Sequence, residues 1–150
     1  MQSTHTGNAT STANATTRNM DDQGKLLLRA VLAAMLLFHG LSKLAGGIGF
    51  ITGMLEGAGL PAVFGYGVYV GEVIAPLLML IGLFTRAAAL VVVINMVVAV
   101  LLAHTGQFFT LNETGGWALE LQAMYFGAAL AVALLGAGRY SLGGAAGRFN

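Results

Sequence analysis

A polar opening stretch gives way to four long apolar runs. Residues 26–44, LLLRAVLAAMLLFHGLSKL, form the first run. A helix rises ~1.5 Å per residue, so this run reaches roughly 28 Å, about one hydrocarbon core. The second run covers residues 66–84, the third, very rich in Val and Ala, residues 86–104, and the fourth residues 117–135. Only a short turn around Thr85 separates the second run from the third, so those helices are expected to be antiparallel neighbours. Residues 48–65 are too Gly-rich to cross a membrane. Phe50, Ile51, Met54 and Leu55 nevertheless fall at i, i+1, i+4, i+5, the spacing of a short amphipathic helix. The pattern predicts an all-α fold: an integral membrane four-helix bundle with a short amphipathic or re-entrant segment between helices 1 and 2.

Residues 1–24 are a Ser/Thr/Asn/Ala tract without apolar periodicity, expected to be a disordered tail. The tract lacks the apolar core of a signal peptide, so the first span is expected to remain in the mature protein. The membrane domain then covers residues 25–142, followed by a short C-terminal tail over residues 143–150.

Composition supports the membrane class. The chain is 57% hydrophobic and 9% charged, with a mean hydropathy of +0.79, where a soluble domain carries roughly a quarter charged residues. A net charge of +1 without any basic run argues against a nucleic-acid partner. Cysteine is absent, which removes disulfides, thiol catalysis and Cys-ligated clusters. The three histidines, His5, His39 and His104, form no metal-spaced cluster, so no metal site is expected. A redox cofactor would therefore be held non-covalently.

Charge placement sets the expected orientation. Arg18, Lys25, Arg29, Arg86, Arg139 and Arg148 fall on one side of the spans and only Lys43 on the other. By the positive-inside rule both termini are expected in the cytoplasm of a multi-pass inner-membrane protein, with residues 45–65 and 105–116 facing outward. Tyr66, Phe108, Phe109 and Trp117 then fall at the outer boundary, where amphipathic aromatics settle.

Ionisable residues within the spans are functional candidates by default, because an unpaired charge at that depth costs several kcal/mol. The first span carries Arg29, His39 and Lys43, the second Glu72, the third the polar Asn95, and the fourth Glu120 and Gln122. Counting residues from the span ends places His39 and Glu72 both ~5 Å outside the midplane, Lys43 ~11 Å out and Glu120 ~10 Å out. These depths predict His39 level with Glu72, Lys43 level with Glu120, and a polar pocket in the outer half with Asn95 as its floor. Pro76 removes the hydrogen bond to the carbonyl four residues earlier, that of Glu72, so one turn offers both a carboxylate and a freed acceptor. Simpler roles compete: a Lys43 that snorkels to the surface, a Glu120 that answers the helix dipole, arginines that anchor the interface, and a His–Glu pair that only joins helices.

Arg29, His39-Gly40 with Lys43, Gly59-Leu60-Pro61, Glu72, Gly82-Leu83-Phe84-Thr85-Arg86 and the closing Gly136-Ala137-Gly138-Arg139-Tyr140-Ser141-Leu142 occur in that order. Together they resemble the DoxX family of small four-helix bacterial membrane proteins. The resemblance implies the fold and, less specifically, a redox association. Some relatives form a thiosulfate:quinone oxidoreductase, others belong to membrane complexes of thiol and superoxide defence, and distant ones act as assembly chaperones or cargo receptors. The expectation is thus a quinone-linked membrane component working with a redox partner subunit or as a homo-oligomer. A non-enzymatic assembly or binding protein and a small-molecule carrier are the alternatives, and catalysis itself is left open.

Overall fold

A computed structural model of the protein describes residues 6–144, 147, 149 and 150. Among the described residues, regular structure is helical apart from one isolated antiparallel bridge between Leu111 and Trp117. The helices are α1 (Thr6–Gly46), α2 (Gly49–Gly57), α3 (Ala62–Ile81), α4 (Thr85–Ala103) and α5 (Glu120–Leu135). The Ala15–Gly46 part of α1, α3 and α4 are each long and apolar enough to cross a membrane. The protein is therefore an all-α integral membrane protein. α5 is apolar but has 16 residues, ~24 Å of helix. It starts later than the apolar run because residues 117–119 complete the preceding loop, where Trp117 Nε1 donates to Phe108 O at 2.9 Å.

α1 packs on α3 and α5, α3 on α4, and α4 on α5, so these four helices close a ring. Its centre is made of Leu32, Ala33 and Leu36 of α1, Ala75 and Met79 of α3, Ala88, Ala89, Val92 and Met96 of α4, and Ala129, Val132 and Ala133 of α5. Lipid tails are as apolar as these side chains, so association comes from close packing, which the many alanines allow. The outward faces, including Phe38, Ile94, Leu101 and Leu134, are equally apolar and exposed on the isolated chain.

One end of the ring is locked by two arginines. Arg29, 1% exposed, donates to Met79 O at 2.7 Å, to Leu80 O at 3.2 Å and to Tyr140 O. Arg86 donates to Ala133 O at 3.1 Å, Leu134 O at 3.0 Å and Asn150 O at 3.0 Å. These carbonyls belong largely to the last turns of α3 and α5, where the helical ladder runs out and the negative end of the helix dipole lies, although Met79 O also accepts from Gly82 N at 3.2 Å. The cations therefore terminate both helices. Asn150 is buried there as well. Its Oδ1 accepts from Thr85 N and Oγ1, and its Nδ2 donates to Ser141 Oγ and Gly144 O.

The chain termini differ from the sequence expectation. The tract expected to be a disordered tail is helical from Thr6, continuous with the first span. Extending an existing helix needs no new nucleus, and tertiary bonds hold its last polar turns. The buried Asp22 carboxylate accepts from Arg139 N at 3.1 Å, and Tyr140 OH donates to Asn19 Oδ1 at 3.4 Å. Arg148, which contributed to the expected orientation, and residues 1–5 of the tract lie outside the described residues.

Candidate functional site

The opposite end of the ring holds a cavity of about 710 Å³, lined by α1, α2, α3, α4 and α5. Most of its wall is apolar, and the amphipathic α2 covers it with Phe50, Ile51, Met54 and Leu55. The polar side chains in the wall are His39, Lys43, Glu72, Asn95, His104, Gln122 and Tyr125.

Glu72 sits where α3 departs from regular geometry. α3 opens with a 3₁₀ turn, Ala62–Tyr66, and one α turn, Gly67–Tyr69. A π-helical stretch, Val70–Ile74, follows before the α-helix resumes over Ala75–Ile81. Pro76 has no N–H to offer the Glu72 carbonyl, so the widened turn falls at a point where a regular hydrogen bond is already missing. Two glycines bring neighbouring helices against this turn. A Cβ on Gly40 of α1 would overlap Glu72 O and lie 2.7 Å from Val73 Cγ2; one on Gly71 would lie 2.6 Å from Asn95 Oδ1 of α4.

Lys43 Nζ donates to Glu72 Oε2 at 2.5 Å. The Lys43 side chain is 28% exposed and that of Glu72 9%, and both residues line the cavity. This corrects the expected pairing of His39 with Glu72 and of Lys43 with Glu120. Helical side chains lean toward the N-terminus of their own helix, so the long Lys43 side chain reaches back about one turn. That brings it to the level of Gly40, where α1 touches Glu72. His39 is exposed and meets Tyr125 of α5 instead, with 3.4 Å between its Nε2 and the phenol oxygen and the rings edge to face at 5.9 Å.

Two expected pocket residues lie outside the cavity lining. Arg29 belongs to the locked end, because it starts ten residues before His39 on the same helix. Glu120 is exposed at the start of α5, where it accepts from Asn112 Nδ2 of the loop at 3.2 Å. Asn95 does line the cavity, packed on Gly71.

Tyr125, Gln122 and His104 join the wall without having been singled out as site candidates from sequence. A signal was present in Gln122, a polar residue within an apolar run, with Tyr125 three positions on and hence on the same helix face. Gln122 Nε2 lies 3.3 Å from His104 Nε2, and His104 Nδ1 lies 3.0 Å from Gln107 Oε1. Among the described residues, three buried side-chain polar atoms have no protein partner: Asn95 Nδ2 and Gln122 Oε1 in residues of this wall, and Arg29 Nε at the other end.

The chain matches the model of the DoxX family over residues 24–105. The match includes Arg29, His39, Lys43, Glu72 and Asn95 and stops before Gln122 and Tyr125. No curated protein and no solved structure gives a match.

Proposed function

This chain belongs to the DoxX family, and we propose that it is a redox-associated membrane component whose cavity receives the head group of a quinone, held non-covalently. The observation that carries this reading is a Lys43–Glu72 ion pair in the wall of a mostly apolar cavity between membrane helices. A volume of about 710 Å³ falls within the ~300–1,000 Å³ of small-molecule sites, and the mostly apolar wall with a few polar groups is typical of them. Lys43 and Glu72 together carry no net charge, so a neutral ligand enters without leaving a buried charge uncompensated.

When bound, a quinone would supply two-electron, two-proton chemistry, with the electrons delivered by a redox partner subunit. Lys43 would donate a hydrogen bond to a ligand carbonyl, and Glu72 holds that ammonium in place. His39 and Tyr125 form a second polar contact between α1 and α5, suited to holding and passing a proton. The arginine-rich locked end would face the cytoplasm of a bacterial inner membrane, with both termini there and the cavity in the outer half of the bilayer.

One observation favours a second reading. The same ion pair joins α1 to α3, as a non-enzymatic assembly or binding protein would need it to. Quinone binding to the purified protein in nanodiscs separates the two. Saturable binding that weakens at least about tenfold in Lys43→Met, with Tyr125→Phe as a milder second variant, supports the quinone site; about tenfold corresponds to one charge-assisted hydrogen bond. Absence of saturable binding in the wild type, with Lys43→Met merely less stable, would leave the assembly role.

A further inference from the structure

We infer that the ligand reaches the cavity sideways from the bilayer, through an opening between α3 and α4, and that its apolar tail stays in that opening. This rests on the quinone reading and adds to it the ligand class, a lipid-soluble quinone with a long tail rather than a free head group.

Two glycines about one turn apart on α3 show where the helices part. At Gly71 an added Cβ would lie 2.6 Å from Asn95 Oδ1, so α4 is in contact there. At Gly67, one turn nearer the cavity end, an added Cβ would meet nothing within 4 Å, although Gly67 lines the cavity. No neighbour fills the gap that opens within that turn. Its edges are apolar: Phe64 and Val70 on α3, Ile94 and Val98 on α4. These four side chains line the cavity and are also exposed on the outside of the ring, Ile94 by 62%. A side chain that belongs to both surfaces marks the rim of an opening.

Depth decides what lies outside that rim. Ile94 is the middle residue of the 19-residue α4, so the opening begins near half the height of the membrane helix. Val98 follows four residues on, ~6 Å nearer the cavity end. An opening at that depth gives on to hydrocarbon, which a charged or strongly hydrated ligand does not cross readily. The other sides of the cavity are covered. α2 lies over its end, held by the buried Ile48 and Leu55, and Thr52 packs so closely that a Cβ on Gly65 would lie 3.0 Å from its Cγ2. On the α1–α5 side His39 and Tyr125 meet edge to face. Lipid tails are as apolar as the rim, so a tail gains little by moving from one to the other. The opening therefore sets the route and the class of ligand, while the polar wall supplies affinity.

The test uses the full-length protein in nanodiscs and a 1,4-benzoquinone whose saturated tail just reaches the opening and ends in a photoreactive diazirine. Lipid-facing residues also react from the bilayer, so only adducts suppressed by excess tailless benzoquinone count. These are expected on residues 64–70 of α3 and 94–98 of α4. Affinity, measured per lipid so that partitioning of the tail does not count as binding, gives the second readout. Gly67→Phe puts bulk into the gap and is expected to weaken a long-tailed quinone at least about fivefold while leaving the tailless one within about twofold. Val98→Trp, exposed on the opposite rim, is the second variant should Gly67→Phe fail to fold. Suppressible adducts on α1, α2 or α5 instead, or a long-tailed quinone bound as tightly by the folded variants as by wild type, would overturn the opening and leave the quinone site standing. If no adduct is suppressible and neither quinone binds saturably, the site and this inference fall together.

Discussion

The two ends of the helical ring handle buried polarity in opposite ways. At the locked end, Arg29 and Arg86 give their N–H groups to backbone carbonyls, and the buried Asn150 bonds to two segments of chain. At the cavity end, Lys43 pairs directly with the Glu72 carboxylate in the cavity wall, and two carboxamides keep atoms without protein partners. Polar groups that are nearly saturated by the fold act as structure. Polar groups left with capacity to bond, around a cavity large enough for a ligand, are where binding is to be sought.

Substitutions at each end should separate these roles. The largest effect is expected at the locked end. Arg29→Met strips donors from three carbonyls and should lower stability by about 3–5 kcal/mol, read as a lower thermal midpoint in detergent. Arg29→Lys should recover little of this, since a point charge cannot bridge α3 and Tyr140 as a planar fork does. If Arg29→Met instead abolished ligand binding in a protein of unchanged stability, the contrast between the ends would collapse.

Gly40→Ala comes next. Its added methyl overlaps Glu72 O, forcing α1 from α3 at a cost of about 1–3 kcal/mol and weakening ligand binding through a displaced Glu72. An unchanged midpoint would show that the helices can separate freely there. At the pair itself, a double-mutant cycle of Lys43→Gln and Glu72→Gln should give a coupling of about 0.5–3 kcal/mol, because either single change strands the other charge. Additive effects would mean that water, not Lys43, balances Glu72.

Asn150→Ala removes bonds to Thr85, Ser141 and Gly144 and should cost about 1–2 kcal/mol without altering ligand affinity. The smallest effect is expected for Glu120→Gln. Glu120 is exposed and bonded only to a loop asparagine, so the change should stay within about 0.5 kcal/mol and leave binding untouched. A large loss of binding there would return Glu120 to the site.

Much of this comparison was legible from sequence, and its limits are specific. The apolar runs located the membrane helices, since a span is recognised by length and composition alone. The depth count brought His39, Lys43, Glu72 and Asn95 to one part of the ring, because rise per residue is nearly constant. Partner assignment went astray because depth is one coordinate and contact needs two more. The direction in which a side chain faces depends on helix rotation, and the π stretch at Glu72 resets that rotation within α3. Lys43 also spans a full turn along its helix, so its level is not that of its Cα.

Sequence by itself therefore determined the class of protein and the apolar helices, properties of the chain read along one axis. Tertiary structure alone decided that Lys43 joins Glu72, that His39 meets Tyr125, that Arg29 locks the far end, and that Gln122 lies beside His104. Each of these depends on how helices are rotated and how closely two glycines let them approach, which no periodicity along the chain encodes.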